Sequence, residues 1–354
     1  MLSGGVPMSG FDSFLGNESL ISRLKSDIAG GRLLHAYIIE GDEGCGKKTL
    51  ASLICMALSC KEEASPCTEC TVCSKIKRLQ TPDIIIAEAE KDRVQIGVDV
   101  VRRIREDAVY APIELPKRFF IIPKADTMNS QAQNALLKIL EEPPPHVMFL
   151  ILVENAEELL PTIRSRAPVL RVAALSDGII KEKLLHDSEK AKKLAESDSD
   201  AFHAAIKLAR GSLGTAIKLT DPSNAEECLK LYRKAERFME LLSKRRDAAS
   251  ELEFYSFATT MTGNKERDAL VKIYGLLADA VRDLLNAKLA KNPTPIFYTT
   301  PEKAYAAAES FTAGRLMALA DIFIEAKENL GRNVNLGLVQ VRTASAVLSA
   351  GRTK

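Results

Sequence analysis

Residues 40–49 read EGDEGCGKKT, a glycine-rich sequence that follows an apolar run and precedes a helical one. In that setting glycines let backbone N–H groups wrap a phosphate, while a lysine, here Lys47, reaches its outer oxygens. The sequence therefore predicts a phosphate-binding loop. The candidate phosphate contacts are Gly41, Gly44, Gly46, Lys47, Lys48 and Thr49.

This loop departs from the usual ATP-binding pattern at the residue after its lysine. The pattern places Ser or Thr there to give magnesium a hydroxyl, but the chain has Lys48. Thr49 is no simple substitute, because one step along a helix turns a side chain by about 100°. Two interpretations stay open: a degenerate loop that still binds nucleotide, and a turn kept for folding that binds nothing.

The residues after the apolar run Arg118–Ile122 bear on hydrolysis. Loop ATPases place carboxylates at the end of this strand to hold magnesium and polarise water, whereas this chain has Pro123 and Lys124. Neither side chain can do that work. Asp126 could act as a displaced carboxylate only if the strand register slipped, which would also turn its apolar faces. The sequence therefore predicts no ATP hydrolysis by the chain itself.

Four of the seven cysteines crowd into positions 60–73. Four thiolates close a tetrahedral zinc site, and in a reducing compartment such a cluster binds metal more often than it forms disulfides. Because all four positions of the metal would be filled, the zinc is predicted to be structural. The alternative is four unrelated reduced cysteines. The predicted ligands are Cys60, Cys67, Cys70 and Cys73.

Arg166 ends the sequence TIRSR at 162–166, just before the last predicted strand. An arginine supplied from one subunit to the nucleotide of another stabilises charge on a transferring phosphoryl group. Arg166 is predicted to lie near the edge of the sheet, where a neighbour could present its nucleotide. Without further context a lone surface arginine is more often solvated or in a modest ion pair.

The elements that must position these residues alternate from 11 to about 172 between short apolar runs and helical periodicity. This alternation predicts an α/β fold with a buried parallel sheet covered by helices. A helix is predicted over 130–142, with Ser130 and Gln133 as a capping box and Pro143 ending it. The predicted strands are Ala36–Glu40, 83–87, Arg118–Ile122, Val147–Val153 and 169–172, with a short helix at 155–160.

After 172 the pattern is helical throughout. Residues 176–221 predict a small helical unit broken at Gly211-Ser212, and 221–223 predict a linker. Helical spacing of apolar residues over 229–242 indicates a first long helix, and further helices are predicted at 269–290, 301–331 and 335–350. A bundle packed on itself and an oligomerisation collar both fit, because an apolar stripe looks the same in either.

Length and charge set outer limits. A chain of 354 residues predicts two or three domains, and a formal net charge of +2 favours neither a polybasic arm nor an acidic tail. No apolar run approaches the roughly 18 residues needed to span a bilayer, and the first residues do not resemble an export signal. We therefore expect a cytoplasmic protein with no membrane partner.

Several motifs together resemble the delta-prime family of bacterial DNA polymerase III clamp-loader subunits, AAA+ relatives of the gamma/tau motor subunit. They occur in the family's order over roughly the first 170 residues, and the run NALLKILEEPP is highly specific to clamp loaders. The matching segments are FDSFLGN at 11–17, HAY at 35–37, the phosphate loop, the four cysteines, 134–143 and Ser165-Arg166.

The resemblance implies an AAA+ P-loop domain over 1–174 with a zinc module at 60–73, a helical lid over 175–222, and a C-terminal helical collar over 223–354. It implies a hetero-pentamer with gamma/tau and delta subunits that acts on the sliding clamp and primed DNA in DNA replication. It also implies that Arg166 is an arginine finger for the neighbouring motor subunit. The collar itself carries no motif that matches.

Departures from the motor pattern favour a delta-prime subunit over a motor. Motors carry Thr or Ser where this chain has Lys48, Asp-Glu where it has Pro123-Lys124, and Arg where it has Gly214. The family's Ser-Arg-Cys is Ser165-Arg166-Ala167 here, which keeps the arginine. Two alternatives remain: an ATP-hydrolysing motor of the gamma/tau type, and a zinc-dependent interaction module. As a subunit of the holoenzyme, the chain would be classified with the whole enzyme as a DNA-directed DNA polymerase, which is a nucleotidyltransferase. Nothing in this sequence resembles a nucleotidyl-transfer site.

Overall fold

The computed structural model describes residues 9–89, 95–244, 247–263, 266–289, 295–331 and 334–350. The chain divides into two compact units. The first comprises the described residues up to Ile180 together with Gly211–Thr215, and the second comprises Lys181–Arg210 and the described residues from Ala216 onward. The three-part division at 174 and 222 stays a prediction.

The first unit is built on a five-stranded sheet. Its strands are β1 (Ala36–Glu40), β2 (Ile84–Ile86), β3 (Arg118–Ile122), β4 (Val147–Val153) and β5 (Val169–Arg171). They lie in the order β2-β3-β4-β1-β5, and every neighbouring pair is parallel. Three predicted strands are confirmed to the residue, and the strands predicted at 83–87 and 169–172 are shorter than predicted.

Both faces of this sheet are buried. Along β4, Met148, Leu150 and Leu152 enter one apolar core, while Phe149 and Ile151 enter another on the opposite face. All seven residues of the strand are buried. Because successive side chains of a strand point to opposite faces, a continuous apolar run is what a strand covered on both sides requires.

Helices cover the two faces and connect the strands. In this unit they are α1 (Glu18–Ala29), α2 (Lys47–Ser59), α3 (Thr71–Lys77), α4 (Val98–Ala108), α5 (Ser130–Glu141), α6 (Pro161–Arg164) and the start of α7 (Asp177–Asp187). Short 3-10 turns occupy Ser9–Ser13, Ala125–Thr127 and Ala156–Glu158. The last of these, with α6 after it, replaces the single short helix predicted at 155–160.

The predicted capping box of α5 is wrong. The N-cap is Asn129, whose side chain accepts a hydrogen bond from the amide of Ala132, so Ser130 is already helical. Gln133 does not complete a capping box but turns its amide to a neighbouring segment, as described below. Asn and Ser are comparable caps, and the sequence does not show which of two adjacent residues has the non-helical backbone.

The second unit is helical in every element that the structure describes. Its core includes Phe238, Tyr274 and Phe323, each from a different helix. Its remaining helices are α8 (Glu189–Ser197), α9 (Ser199–Ala209), α10 (Leu213–Leu219), α11 (Pro222–Ser243), α12 (Ala248–Thr259), α13 (Arg267–Leu289), α14 (Pro301–Ala308), α15 (Ala313–Gly331) and α16 (Leu336–Ser349). The first residues of α10 belong to the first unit.

The structure corrects two predictions in this region. The single helix predicted at 301–331 is two helices, because the chain leaves α14 after Ala308 and buries Phe311 before α15 begins. The linker predicted at 221–223 lies mostly inside α11, where Pro222 takes the first-turn position that suits proline. The break predicted at Gly211-Ser212 is confirmed. Among the described residues, no helix is long and apolar enough to cross a membrane.

Candidate functional site

The glycine-rich loop lies between β1 and α2, as predicted. Gly44 and Gly46 have φ values of +75° and +105°, which residues with a side chain rarely adopt, and Gly46 directly precedes α2. No side chain caps this end of α2. The first backbone N–H groups of a helix lack partners within it and attract anions. The loop thus keeps the backbone of a phosphate cradle, and Thr49 lies exposed in the first turn of α2.

Segment 211–215 packs against one side of this loop. A Cβ atom at Gly44 would lie 2.3 Å from the Oγ of Ser212 and 2.9 Å from the Oγ1 of Thr215. A Cβ atom at Gly214 would in turn lie 3.3 Å from the carbonyl oxygen of Gly44. Glycine at 44 and 214 therefore permits a close approach of two backbones. The contact with Ser212 was not predictable from the sequence.

The two lysines of the loop make contacts within the chain. Lys47 Nζ donates to the carbonyl oxygens of Gly41 and Asp42, so this ammonium folds back onto its own loop. Lys48 Nζ lies 3.0 Å from Glu88 Oε1, beyond the end of β2, and both side chains are more than half exposed. The position that provides a magnesium-binding hydroxyl in the ATP-binding pattern thus holds an ammonium paired with a carboxylate.

Pro123 and Lys124 follow the carboxyl end of β3, as predicted. Pro123 is buried, and Lys124 is exposed in a left-handed conformation with φ of +52°. The carboxylate of Asp126 accepts a hydrogen bond of 2.7 Å from the amide of Glu154. The loop after β4 therefore accounts for the position of this carboxylate.

The four clustered cysteines lie together where α2 ends and α3 begins. Their Sγ atoms are all within 4.8 Å of one another. The Cys60–Cys67, Cys67–Cys73 and Cys60–Cys70 sulfurs are 3.6, 3.9 and 4.0 Å apart. Zinc–sulfur bonds of about 2.3 Å at tetrahedral angles would place sulfurs about 3.8 Å apart. The cluster could hold a metal ion, and its spacing fits zinc.

The backbone around these sulfurs also suits thiolates. The amide of Cys70 donates to Cys67 Sγ, and the amide of Cys73 donates to Cys70 Sγ. Hydrogen bonds to Cys67 from the amide of Cys70 and then from that of Glu69 lower the pKa of Cys67 to about 7. Burial raises the pKa of Cys73 instead. Binding a metal would therefore have to displace a proton that burial favours on Cys73.

Arg166 follows α6 in the turn that leads into β5, an edge strand of the sheet. Its predicted place near the sheet edge is confirmed. Nη1 donates to the carbonyl oxygen of Thr162 at 3.0 Å and contacts Ser165 Oγ at 3.4 Å, and Nη2 lies 2.9 Å from Glu141 Oε1. The side chain is 37% exposed, so it is held within the chain and still reaches the surface.

Gln133 is a second residue that the sequence did not reveal as part of this site. Its side-chain oxygen accepts from the amide of Leu160 at 2.7 Å, and its nitrogen donates to the carbonyls of Met128 and Glu158. Gln133 is only 6% exposed. The sequence signal for this role is that Gln133 is a polar residue within an apolar helical run. A buried amide side chain needs hydrogen-bond partners, which another segment can supply.

The strand order, the phosphate loop after β1 and the helical region that follows define the class: this is an AAA+ P-loop fold. Residues 16–176 match the family described as "DNA polymerase III, delta subunit". Residues 16–176 are thus similar to this family and to the gamma/tau clamp-loader subunits.

The curated relatives agree with that assignment. The gamma/tau subunit of DNA polymerase III from Mycobacterium tuberculosis is 36% identical over 158 residues, which are 44% of this chain and 27% of the relative. The tau subunit of Escherichia coli is 30% identical over 217 residues, 61% of this chain and 33% of the relative. The chain thus spans about a quarter to a third of the length of these relatives.

Similar folds occur among solved structures. A gamma subunit-related protein from Thermotoga maritima has 17% identity and a TM-score of 0.43, over 93% of this chain and 99% of that one. The Bacillus subtilis DNA clamp loader delta protein has 14% identity and a TM-score of 0.32, over 93% of this chain and 98% of that one. Likenesses of this size carry no functional conclusion.

Proposed function

We propose that this protein is a delta-prime subunit of the DNA polymerase III clamp loader, an AAA+ subunit that does not hydrolyse ATP. The observation that carries the proposal is the carboxyl end of β3, where buried Pro123 and exposed Lys124 stand in place of catalytic carboxylates. Hydrolysis depends on cations held by carboxylate and hydroxyl ligands. Lys48, paired with Glu88, removes the hydroxyl as well.

The proposed contribution of the chain to catalysis is Arg166. Its guanidinium would reach the nucleotide of a neighbouring motor subunit and stabilise charge on the transferring phosphoryl group. Arginine suits this role because it stays charged and its planar fork matches phosphate oxygens. The edge position, the partial exposure and the fixed turn around Arg166 support the proposal.

The partners follow from the family and remain part of the proposal. The chain would join gamma/tau and delta subunits in a hetero-pentamer through a collar over 223–354, with a lid over 175–222. It would work in the cytoplasm on the sliding clamp and primed DNA. A structural zinc ion would be held by the four cysteines. The degenerate phosphate loop could bind ATP without cleaving it.

The test is ATP turnover by a clamp-loader complex reconstituted with sliding clamp and primed DNA. Replacing Arg166 with Ala should lower clamp-stimulated turnover by about tenfold or more, since a finger in trans is worth about 10³ or more at the site it serves. Assembly, followed by gel filtration, should be unchanged. Arg164→Ala is the matched control, because Arg164 lies two residues away and pairs with Glu157 of its own chain. Equal turnover in the two variants would refute the finger role.

A second candidate is an ATP-hydrolysing motor subunit of the gamma/tau type. The identity of 36% to a gamma/tau subunit favours it. A motor would hydrolyse ATP as a purified chain, and Lys47→Ala would abolish that activity. We expect no turnover above background from either protein, because Pro123 and Lys124 follow β3 at the positions where a motor carries two carboxylates.

A further inference from the structure

We propose that Glu141 is a positioning residue for Arg166, and that α5 is the frame through which it acts. The inference rests on the proposed finger role of Arg166. Glu141 is the last residue of α5, and its carboxylate lies 2.9 Å from Nη2 of Arg166. The two residues are 25 positions apart, so the contact joins separate elements rather than neighbours in sequence.

The contacts of Arg166 hold its guanidinium from two directions. Nη1 is held by Thr162 and Ser165 of its own turn, whereas Nη2 is held by Glu141 from α5. Contacts from one side alone would leave the long side chain free to rotate. A guanidinium has more N–H groups than these three acceptors use, so donors remain for a phosphate oxygen of a neighbour.

The same helix also fixes the beginning of the turn that carries Arg166. Gln133, two turns before Glu141, binds the amide of Leu160 and the carbonyl of Glu158. Residues 158–160 lead directly into α6. Helix α5 is therefore tied to the finger-bearing segment at both ends, through a buried amide at one and an ion pair at the other.

Helix α5 is capped at its start and packed into the core. Asn129 caps it, and Ala132, Leu136 and Leu140 are at most 1% exposed. Well-packed helices hold side chains more precisely than loops do. Glu141 would therefore hold the guanidinium of Arg166 in a fixed position relative to the packed helix, although Arg166 itself lies in a surface turn.

This arrangement predicts a loss of turnover rate rather than of nucleotide affinity. A positioned arginine reaches the phosphoryl group without first losing rotational freedom, which matters in the transition state. An exposed ion pair is weak, so the effect of losing it should be far smaller than that of losing Arg166. We expect Glu141→Ala and Glu141→Gln to lower kcat about two- to fivefold in the reconstituted complex, with KM for ATP unchanged.

Glu142→Ala is the matched control, because Glu142 is the adjacent, exposed carboxylate. It should leave turnover unchanged. The decisive measurement adds Glu141→Ala to Arg166→Ala. A residue that acts only through Arg166 should lower turnover no further in that background.

The outcomes separate this inference from the function on which it rests. If Glu141→Ala matches Glu142→Ala, or still lowers turnover when Arg166 is absent, Glu141 is not a positioning residue although the finger role stands. If the complex with Arg166→Ala hydrolyses ATP as fast as the unmodified complex, the proposed function is wrong, and this inference is wrong with it. A loss that requires Arg166 and spares KM supports both.

Discussion

At Gly44 the phosphate loop meets segment 211–215, and two physical demands coincide there. The backbone adopts φ of +75°, and a Cβ atom would lie 2.3 Å from the Oγ of Ser212. The first demand is a matter of conformation and the second a matter of packing. A second glycine, Gly31, has φ of +62° but nothing within 4 Å of an added Cβ, so it shares only the first demand.

This pair predicts how much the close approach contributes to stability. Gly31→Ala should cost about 1 kcal/mol from backbone strain alone. Gly44→Ala should cost about 2–4 kcal/mol, because an overlap with a packed neighbour is added to the strain. Chemical denaturation of both variants measures the difference.

Removing the Oγ gives a further check on the same contact. In Gly44→Ala/Ser212→Ala the overlap with Ser212 Oγ is relieved, whereas the contact with Thr215 Oγ1 at 2.9 Å remains. The double variant should therefore lose less free energy of unfolding than the sum of the single changes. Equal losses from Gly31→Ala and Gly44→Ala would show that segment 211–215 does not press on the loop in solution.

At the scale of elements, four sulfurs converge where the chain passes from α2 to α3, from Cys60 at the end of α2 to Cys73 in the first turn of α3. We expect one zinc ion per chain, and Cys67→Ser or Cys70→Ser should lose it. Cys45→Ala should keep it, because Cys45 lies in the phosphate loop and outside the cluster. Metal analysis of the purified proteins measures the content.

Loss of the ion should also lower stability, since ligands that gather in the folded chain couple metal binding to folding. A chelator should therefore lower the thermal midpoint of the unmodified protein and of Cys45→Ala, but leave Cys67→Ser unaffected. A protein purified without metal and stable in chelator would contradict the zinc prediction.

Sequence patterns predicted elements best where one physical cause dominates. Strands buried on both faces need continuous apolar runs, and β1, β3 and β4 have the predicted bounds. The pattern failed at Asn129, where two neighbouring residues could each cap the helix. It also missed α12 (Ala248–Thr259), which is capped by Asp247 and Ser250.

The site was predictable in its residue types but not in its contacts. The cysteine spacing predicted a cluster, because four thiols within a short segment can hardly lie far apart. Nothing local indicated that Glu141 would meet Arg166 or that Lys48 would meet Glu88, since such pairs depend on how separate elements pack. Gln133 was assigned to the wrong partner for the same reason.

At the scale of the whole molecule, the proposed subunit supplies a charge to its neighbour and does not use its own phosphate loop for cleavage. Lys47 and Arg166 are then expected to differ sharply in importance, although both are cations in nucleotide-associated motifs. Lys47 donates to carbonyls of its own loop, whereas Arg166 lies beside an edge strand.

The corresponding prediction compares Lys47→Ala with Arg166→Ala in the same reconstituted complex. Lys47→Ala should leave clamp-stimulated turnover within about twofold of the unmodified complex, since the loop lacks the ligands that cleavage requires. Arg166→Ala should lower it about tenfold or more, because its neighbour loses a transition-state contact. Turnover that falls with Lys47→Ala but not with Arg166→Ala would reverse the assignment and identify the chain as a motor. A metal-bound nucleotide in the loop of the purified chain would point the same way.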